Sequence, residues 1–341
     1  MKRLRIGLFP YSANLTHPAD RRRIVSWARA KGHTLLVGES KNVDFVFISE
    51  GVDFIGLSKT SGPPKIFDLI DGYLAKQEFH NDFIRGVTKS LIRQHHTFPR
   101  SYTSMIAETC RKVDLVICSS VEQQSTILPH NQNVHIILDN HSEFPLRSYQ
   151  PNKANSKPVF FWEGTTHTLG GLEQLSQALP KSTVNFSIVT DTKHPRILGK
   201  YFNQDVKSRL KKSLRGHFFQ FHPWSIQEVI ARSSEAHLAL VPVDMNSGIQ
   251  RMKPENRLLI MFRLGVPCLT SPISSYKRVE SILNTKVTCE SPQDWNSSIN
   301  HFFFDQELAA HQVAQGQKYL KEQHNEDLLF DKWDKAISSL I

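Results

Sequence analysis

Along the chain, short and almost purely apolar runs alternate with longer amphipathic stretches. Runs at 3–9, 34–37, 44–49, 65–70, 114–118 and 134–138 are too short for buried helices. They are rich in Val, Ile, Leu and Phe, which predicts strands covered on both faces. Between them, 18–31, 72–93, 102–112 and 122–128 carry the spacing of helices. The first of these has Pro18 in its first turn, Asp20 near its positive end and Gly32 at its stop. Strand and helix repeated in this way predict a parallel sheet covered by helices.

The alternation breaks at 143–157, where Pro145, Pro151, Asn152, Asn155 and Ser156 mark a polar connection, and then it restarts. Strands are expected at 159–162, 185–189, 218–221, 237–241, 266–270 and 286–289, with helices at 170–179, 206–214 and 226–233. Two amphipathic helices, 305–323 and 327–341, close the chain. The pattern predicts an α/β protein of two Rossmann-like doubly wound domains facing a cleft, followed by a helical tail. The first domain spans 1–145, a linker 146–157, and the second domain with its tail 158–341.

The most informative stretch is 252–272. It reads as a basic helix start, an apolar helix body, a stop at Gly265, a short buried strand from Val266 and a Ser271-Pro272 turn. Lys253, Asn256 and Arg257 fall at the N-terminus of that helix, where free N–H groups and the positive dipole end suit an anion such as a diphosphate. A solvated helix start is the alternative. The loop before it, 241–251, is polar and too long for a mere connection. After the first strand of the second half, Gly164 and Thr165 offer either a close backbone approach to a phosphate or a plain polar turn. Trp224, ahead of the helix cap Ser225, is either a stacking surface for a nucleobase or a packing residue.

Composition narrows the classes. The apolar fraction of 39% and charged fraction of 22% are those of a globular protein. No run approaches the roughly twenty apolar residues of a membrane helix, and the apolar run 6–9 breaks too soon for a secretion signal, so a cytoplasmic protein is expected. The cysteines, Cys110, Cys118, Cys268 and Cys289, are dispersed and read as buried free thiols. The net charge of +10 favours anionic partners: nucleotide diphosphates, an anionic membrane surface or nucleic acid. The basic runs 21–23 and 207–215 lack interleaved aromatics and read as solvated helix faces, which disfavours nucleic acid; a peripheral membrane patch is the second reading. His95-His96 has no partners at metal-ligand spacing.

The order strand, Pro242, polar loop, Lys253-x-x-Asn256-Arg257, helix, Gly265-Val266-Pro267, strand, Ser271-Pro272 resembles the donor half of the GT-B glycosyltransferases, particularly the bacterial group-1 type. In the first half, 113–120, Gln123 and 133–137, with His17-Pro18-x-Asp20-Arg21-Arg22 leading to Gly32-His33, resemble that fold's acceptor domain. The resemblance implies a nucleotide-sugar donor in the second domain, a glycan or lipid-linked acceptor in the first, and no metal or other cofactor. It assigns Lys253 and Asn256, with Arg257 as a third group, to the donor diphosphate. Apolar residues around Ile260 stand where many retaining members carry the second glutamate of a pair, so the stereochemical outcome stays open. For a base near the acceptor hydroxyl, two residues qualify. Asp71, after the strand 65–70, is either that base or a helix cap; His17, in the loop after the first strand, is the other. A sugar-nucleotide epimerase and a basic non-enzymatic binding module are the competing functions.

Overall fold

The computed structural model describes residues 2–75, 79–91, 95, 100–151, 158–181, 185–195 and 203–341. Residues 152–157 of the expected linker, 76–78 and 92–93 of the expected helix 72–93, and His96 lie outside them. The chain divides into two compact units, residues 1–140 with 252–254 and 326–341, and residues 141–251 with 255–325.

The N-terminal unit holds a six-stranded sheet, β1 (Arg5–Phe9), β2 (Thr34–Val37), β3 (Phe45–Ser49), β4 (Lys65–Leu69), β5 (Leu115–Cys118) and β6 (Val134–Ile136). Its spatial order is β2-β1-β3-β4-β5-β6, and every pairing is parallel. The three strands β3, β4 and β5 are buried at every residue, which is why they read as continuous apolar runs and not as alternation. The helix expected over 72–93 is described as Phe79–Leu91, behind a turn at 73–75. A helix at Phe54–Ser58, capped by the Asp53 carboxylate on the Gly56 N–H, was not legible in the pattern.

Two expectations are corrected in this unit. The helix 18–31 breaks into Pro18–Arg21 and Ile24–Ala30, because Arg23 leaves helical geometry at φ −118°, ψ −117°. The Arg22 carbonyl accepts from the Asn140 N–H at 2.7 Å instead of continuing a helical ladder. Arg23 is not on a solvated face: it is 0% exposed, and its guanidinium donates to both Asp68 oxygens and to the Ile137 carbonyl. Arg22 is buried as well. Two of the three arginines that suggested a membrane patch therefore point inward. The other basic run behaves as expected, with Lys207, Lys211 and Lys212 exposed on the helix Val206–Ser213.

The second correction concerns the tail. Its last helix, Glu326–Ser338, was grouped with the second domain but packs on the first sheet. Leu329, Phe330, Trp333, Ala336 and Ile337 join the core of Ile6, Trp27 and Phe47. Trp333 stacks on Trp27 with centroids 5.9 Å apart, and the Trp27 indole N–H donates to Asp334 at 2.8 Å.

The C-terminal unit contains β7 (Val159–Glu163), β8 (Asn185–Thr190), β9 (Lys193–Pro195), β10 (Asn203–Asp205), β11 (Phe218–Pro223), β12 (Leu238–Val241) and β13 (Cys268–Thr270). Five of these form a parallel sheet in the order β11-β8-β7-β12-β13, while β9 and β10 make a small antiparallel ribbon. The expected strand 286–289 reduces to a single parallel bridge between Thr288 and Thr270. Helices Ser274–Leu283 and Pro292–Phe304 complete the cover together with Gln306–Gln323.

The helix Asn256–Arg263 stops as its glycine predicts. Gly265 has φ +74°, its N–H reaches the Phe262 carbonyl and the Val266 N–H reaches Met261, the paired bonds of a Schellman motif. A Cβ there would also sit 2.5 Å from the Arg147 carbonyl oxygen. All four cysteines are buried free thiols. Among the described residues no helix is long and apolar enough to cross a membrane.

Candidate functional site

In the C-terminal unit, chemistry gathers at the carboxyl end of β7. This strand lies in the middle of its sheet and ends on Glu163, whose carboxylate is 8% exposed. The Trp224 indole N–H, arriving from the loop after β11, donates to Glu163 Oε1 at 2.8 Å. Arg257 donates to the Glu163 carbonyl, and its Nε lies 3.9 Å from Glu163 Oε2. The same guanidinium sits 5.1 Å from the centre of the Trp162 ring. One residue, Glu163, thus holds the aromatic ring through its carboxylate and the cation through its carbonyl, two groups that the sequence singled out separately.

The next residue, Gly164, has no room for a side chain. A Cβ would meet Thr168 Oγ1 at 2.7 Å and the Trp162 ring at 3.2 Å. Thr165 is exposed, and its carbonyl accepts from the Thr168 N–H and hydroxyl. Ser225 caps the helix Ile226–Ser233 through the Glu228 N–H at 3.0 Å, which fixes the turn carrying Trp224. Asn256 and Arg257 are the first two residues of the helix Asn256–Arg263, where free N–H groups point outward. The Asn256 side-chain oxygen lies 3.2 Å from His141 Nε2.

Lys253 belongs to the N-terminal unit, where its ammonium pairs with Asp71. It stands ahead of the helix and not in its first turn. Two expected residues therefore meet each other. Burial pushes the Asp71 carboxyl up, but Lys253, Arg85 and the Tyr73 hydroxyl outweigh it and hold it below the ordinary range. Among the described residues Asp71 caps no helix, since it is followed by a turn at 73–75. The Tyr73 hydroxyl lies 3.2 Å from Asp71 Oδ2 and accepts from Arg85 at 3.0 Å.

His17 N-caps the short helix Pro18–Arg21: its Nδ1 accepts from the Ala19 N–H at 3.2 Å, and its ring stacks on Tyr11 with centroids 4.9 Å apart. Burial pushes its pKa down, against the pull of Asp20. With Nδ1 occupied as an acceptor, the neutral ring carries its proton on Nε2. Nε2 is then a donor and not a base. His95 lies 3.3 Å from Asp53 through Nδ1.

Three residues of these clusters were not singled out from the sequence. Glu163 closes an apolar run, and a carboxylate in that position is a signal that was available. Tyr73 and His141 gave no signal, because their importance comes from residues distant in sequence.

Neither a protein-family profile nor a curated protein sequence matches the chain. Solved structures do. Anabaena HepE in complex with UDP and glucose superposes with a TM-score of 0.67 at 11% identity, over 99% of this chain and 100% of that one. An α-glucosyltransferase in complex with UDP and a 13-mer DNA gives 0.64 at 12% identity, over 98% and 100%. WaaG, a glycosyltransferase of lipopolysaccharide biosynthesis, gives 0.56 at 14% identity, over 98% and 99%. The fold is therefore the GT-B fold that these proteins share, with parallel α/β sheets and a helical C-terminal tail.

Proposed function

We propose that this chain is a glycosyltransferase that moves a sugar from a nucleoside diphosphate, with UDP as the carrier, to a hydroxyl of a glycan, lipid-linked or cell-surface polysaccharide acceptor. The observation that carries this reading is the Glu163–Trp224–Arg257 assembly at the carboxyl end of β7, in a fold shared with HepE and the α-glucosyltransferase, both solved with UDP. Such strand ends are where open α/β sheets bind their ligands. In this reading Arg257, Asn256 and the N–H groups of their helix bind the diphosphate. Gly164 lets the backbone approach the donor, and the Thr165 hydroxyl hydrogen-bonds it. Trp224 offers a stacking face to the base. As the anomeric C–O bond breaks, negative charge grows on the diphosphate, and positive groups already in place stabilise it without reorganising. On the acceptor side, the ionised Asp71 accepts a hydrogen bond from a sugar hydroxyl and His17 donates one through Nε2.

Thermal unfolding in the presence of UDP and a panel of UDP-sugars tests the reading. A ligand at a hundred times its Kd should add about 2.7 kcal/mol of stability. Arg257→Ala should weaken UDP binding about ten- to hundredfold, the worth of one charge-assisted contact. No shift with any of these nucleotides, together with no UDP release in the presence of glycan acceptors, would overturn the assignment. Conversion of a sugar nucleotide without any acceptor would favour an epimerase instead. Binding to duplex DNA that weakens steeply with salt, without nucleotide binding, would favour the basic module.

A further inference from the structure

We infer that Glu50 is the carboxylate that takes the proton from the acceptor hydroxyl, an inference that rests on the transferase reading above. Glu50 follows directly on β3, which β1 and β4 flank in the interior of the N-terminal sheet. Its side chain belongs to the carboxyl ends of those strands and is 8% exposed. The loop that carries it is closely packed: a Cβ on Gly51 would stand 3.0 Å from Tyr11 Cα. A carboxylate held in place at a strand end is the arrangement that general-base catalysis asks for.

The charged and titratable groups around it come from four elements. Tyr11 follows β1, Asp71 and Tyr73 follow β4, Arg85 and Lys89 lie on the helix Phe79–Leu91, and Tyr102 opens the helix Tyr102–Lys112. The Tyr73 hydroxyl interacts with both carboxylates, at 3.2 Å from Asp71 and in hydrogen-bond contact with Glu50. Arg85 fixes that hydroxyl from behind and lies 4.3 Å from the Tyr73 ring centre. Two carboxylates thus share one hydroxyl in unequal surroundings. Asp71 has the Lys253 ammonium against it and stays ionised. Burial, with the Asp71 charge added, pushes the Glu50 carboxyl up despite Lys89 and Arg85. Neighbouring groups whose affinities for a proton are driven apart in this way divide into one that stays charged and one that exchanges a proton. Asp71 is the weaker base of the two, and His17 has its Nδ1 committed to a helix cap.

In the step itself, the acceptor oxygen forms a bond to the anomeric carbon as the bond from that carbon to the donor phosphate oxygen breaks. That bonding pair leaves on the nucleoside diphosphate. The acceptor's proton passes to the Glu50 carboxylate, which releases it to solvent before the next turnover.

The test measures UDP release across pH, using whichever UDP-sugar and glycan acceptor the wild-type protein turns over. Wild-type activity should rise with pH on its acid side and level off above the ordinary glutamate range of about 4.3. E50Q is expected to lose about a hundredfold or more in kcat, with the donor KM unchanged. It should also lose the rising limb while keeping the stabilisation by UDP, which reports that it folds. E50D should keep the limb and lose rate, because its carboxylate sits on a shorter arm. An E50Q enzyme within about threefold of wild-type kcat, or one that keeps the limb, overturns the inference. So does an E50D enzyme as fast as wild type, even if E50Q does not fold. A wild-type protein that binds UDP yet turns over no sugar nucleotide sinks the transferase reading and this inference together. An active wild type matched by E50Q sinks this inference alone.

Discussion

Arg23→Ala is expected to destabilise the N-terminal unit by about 3–5 kcal/mol, the cost of leaving one partner of a buried ion pair uncompensated. The guanidinium and the Asp68 carboxylate are both 0% exposed, and they are joined by bonds of 2.7 and 2.9 Å. Burial alone would lower the Arg23 pKa; the Asp68 and Asp139 carboxylates raise it and keep the side chain a cation. Without the arginine, Asp68 must either stay charged in an apolar interior or take up a proton, and both are costly. The Ile137 carbonyl loses its 2.6 Å donor at the same time. Hydrogen exchange of the β1 and β3 amides measures this unit separately, and their protection should fall by that amount. Joint replacement by Arg23→Met and Asp68→Leu should cost less than Arg23→Ala, because no charge is left behind. Equal protection in wild type and Arg23→Ala would show that the pair contributes nothing.

Trp333→Ala should cost a similar amount, about 3–5 kcal/mol, through lost burial and the cavity it leaves. The indole is 0% exposed and packs on Trp27 and Phe47, the latter with centroids 6.0 Å apart. Because the terminal helix belongs to the first unit, the loss should appear in the β1 and β3 amides and not in β7 or β8. Weakened protection confined to β7 and β8 would instead put that helix with the second unit.

Much of the architecture was legible because parallel sheets leave a strong signature. A strand buried on both faces has no polar alternation, so 44–49 and 65–70 announced themselves as β3 and β4 almost to the residue. Edge strand β11 was also found, although its exposure alternates along Phe218–Pro223. Local signals worked at helix ends, where one residue type does one job: Gly265 in its left-handed turn and Ser225 at its cap. They failed at Arg21 to Arg23. Spacing put three arginines on an exposed helix, and a carboxylate 45 residues away drew one of them into the core. Periodicity describes a face but does not say what the face meets.

The candidate site divides along the same line. Arg257, Trp224 and Gly164 were chosen one at a time, from helix position, ring chemistry and turn chemistry, and the fold gathers them around Glu163. The pairing of Lys253 with Asp71 spans 182 residues, and no spacing rule reaches that far. Protonation depends on burial and on neighbours that the fold brings close, many of them distant in sequence. Glu50, Asp71 and His17 are ordinary titratable residues in the chain, and burial and charge move them in different directions.

The 252–272 stretch shows both sides. Its composition and order were enough to specify a helix, its glycine stop and the following strand, because backbone hydrogen bonds and φ preferences are settled within a few residues. Which groups its basic residues face was decided by folding, since charges separated along the chain interact only when the sheet brings them within a few ångströms. Lys253 faces Asp71, Asn256 faces His141 and Arg257 faces Glu163.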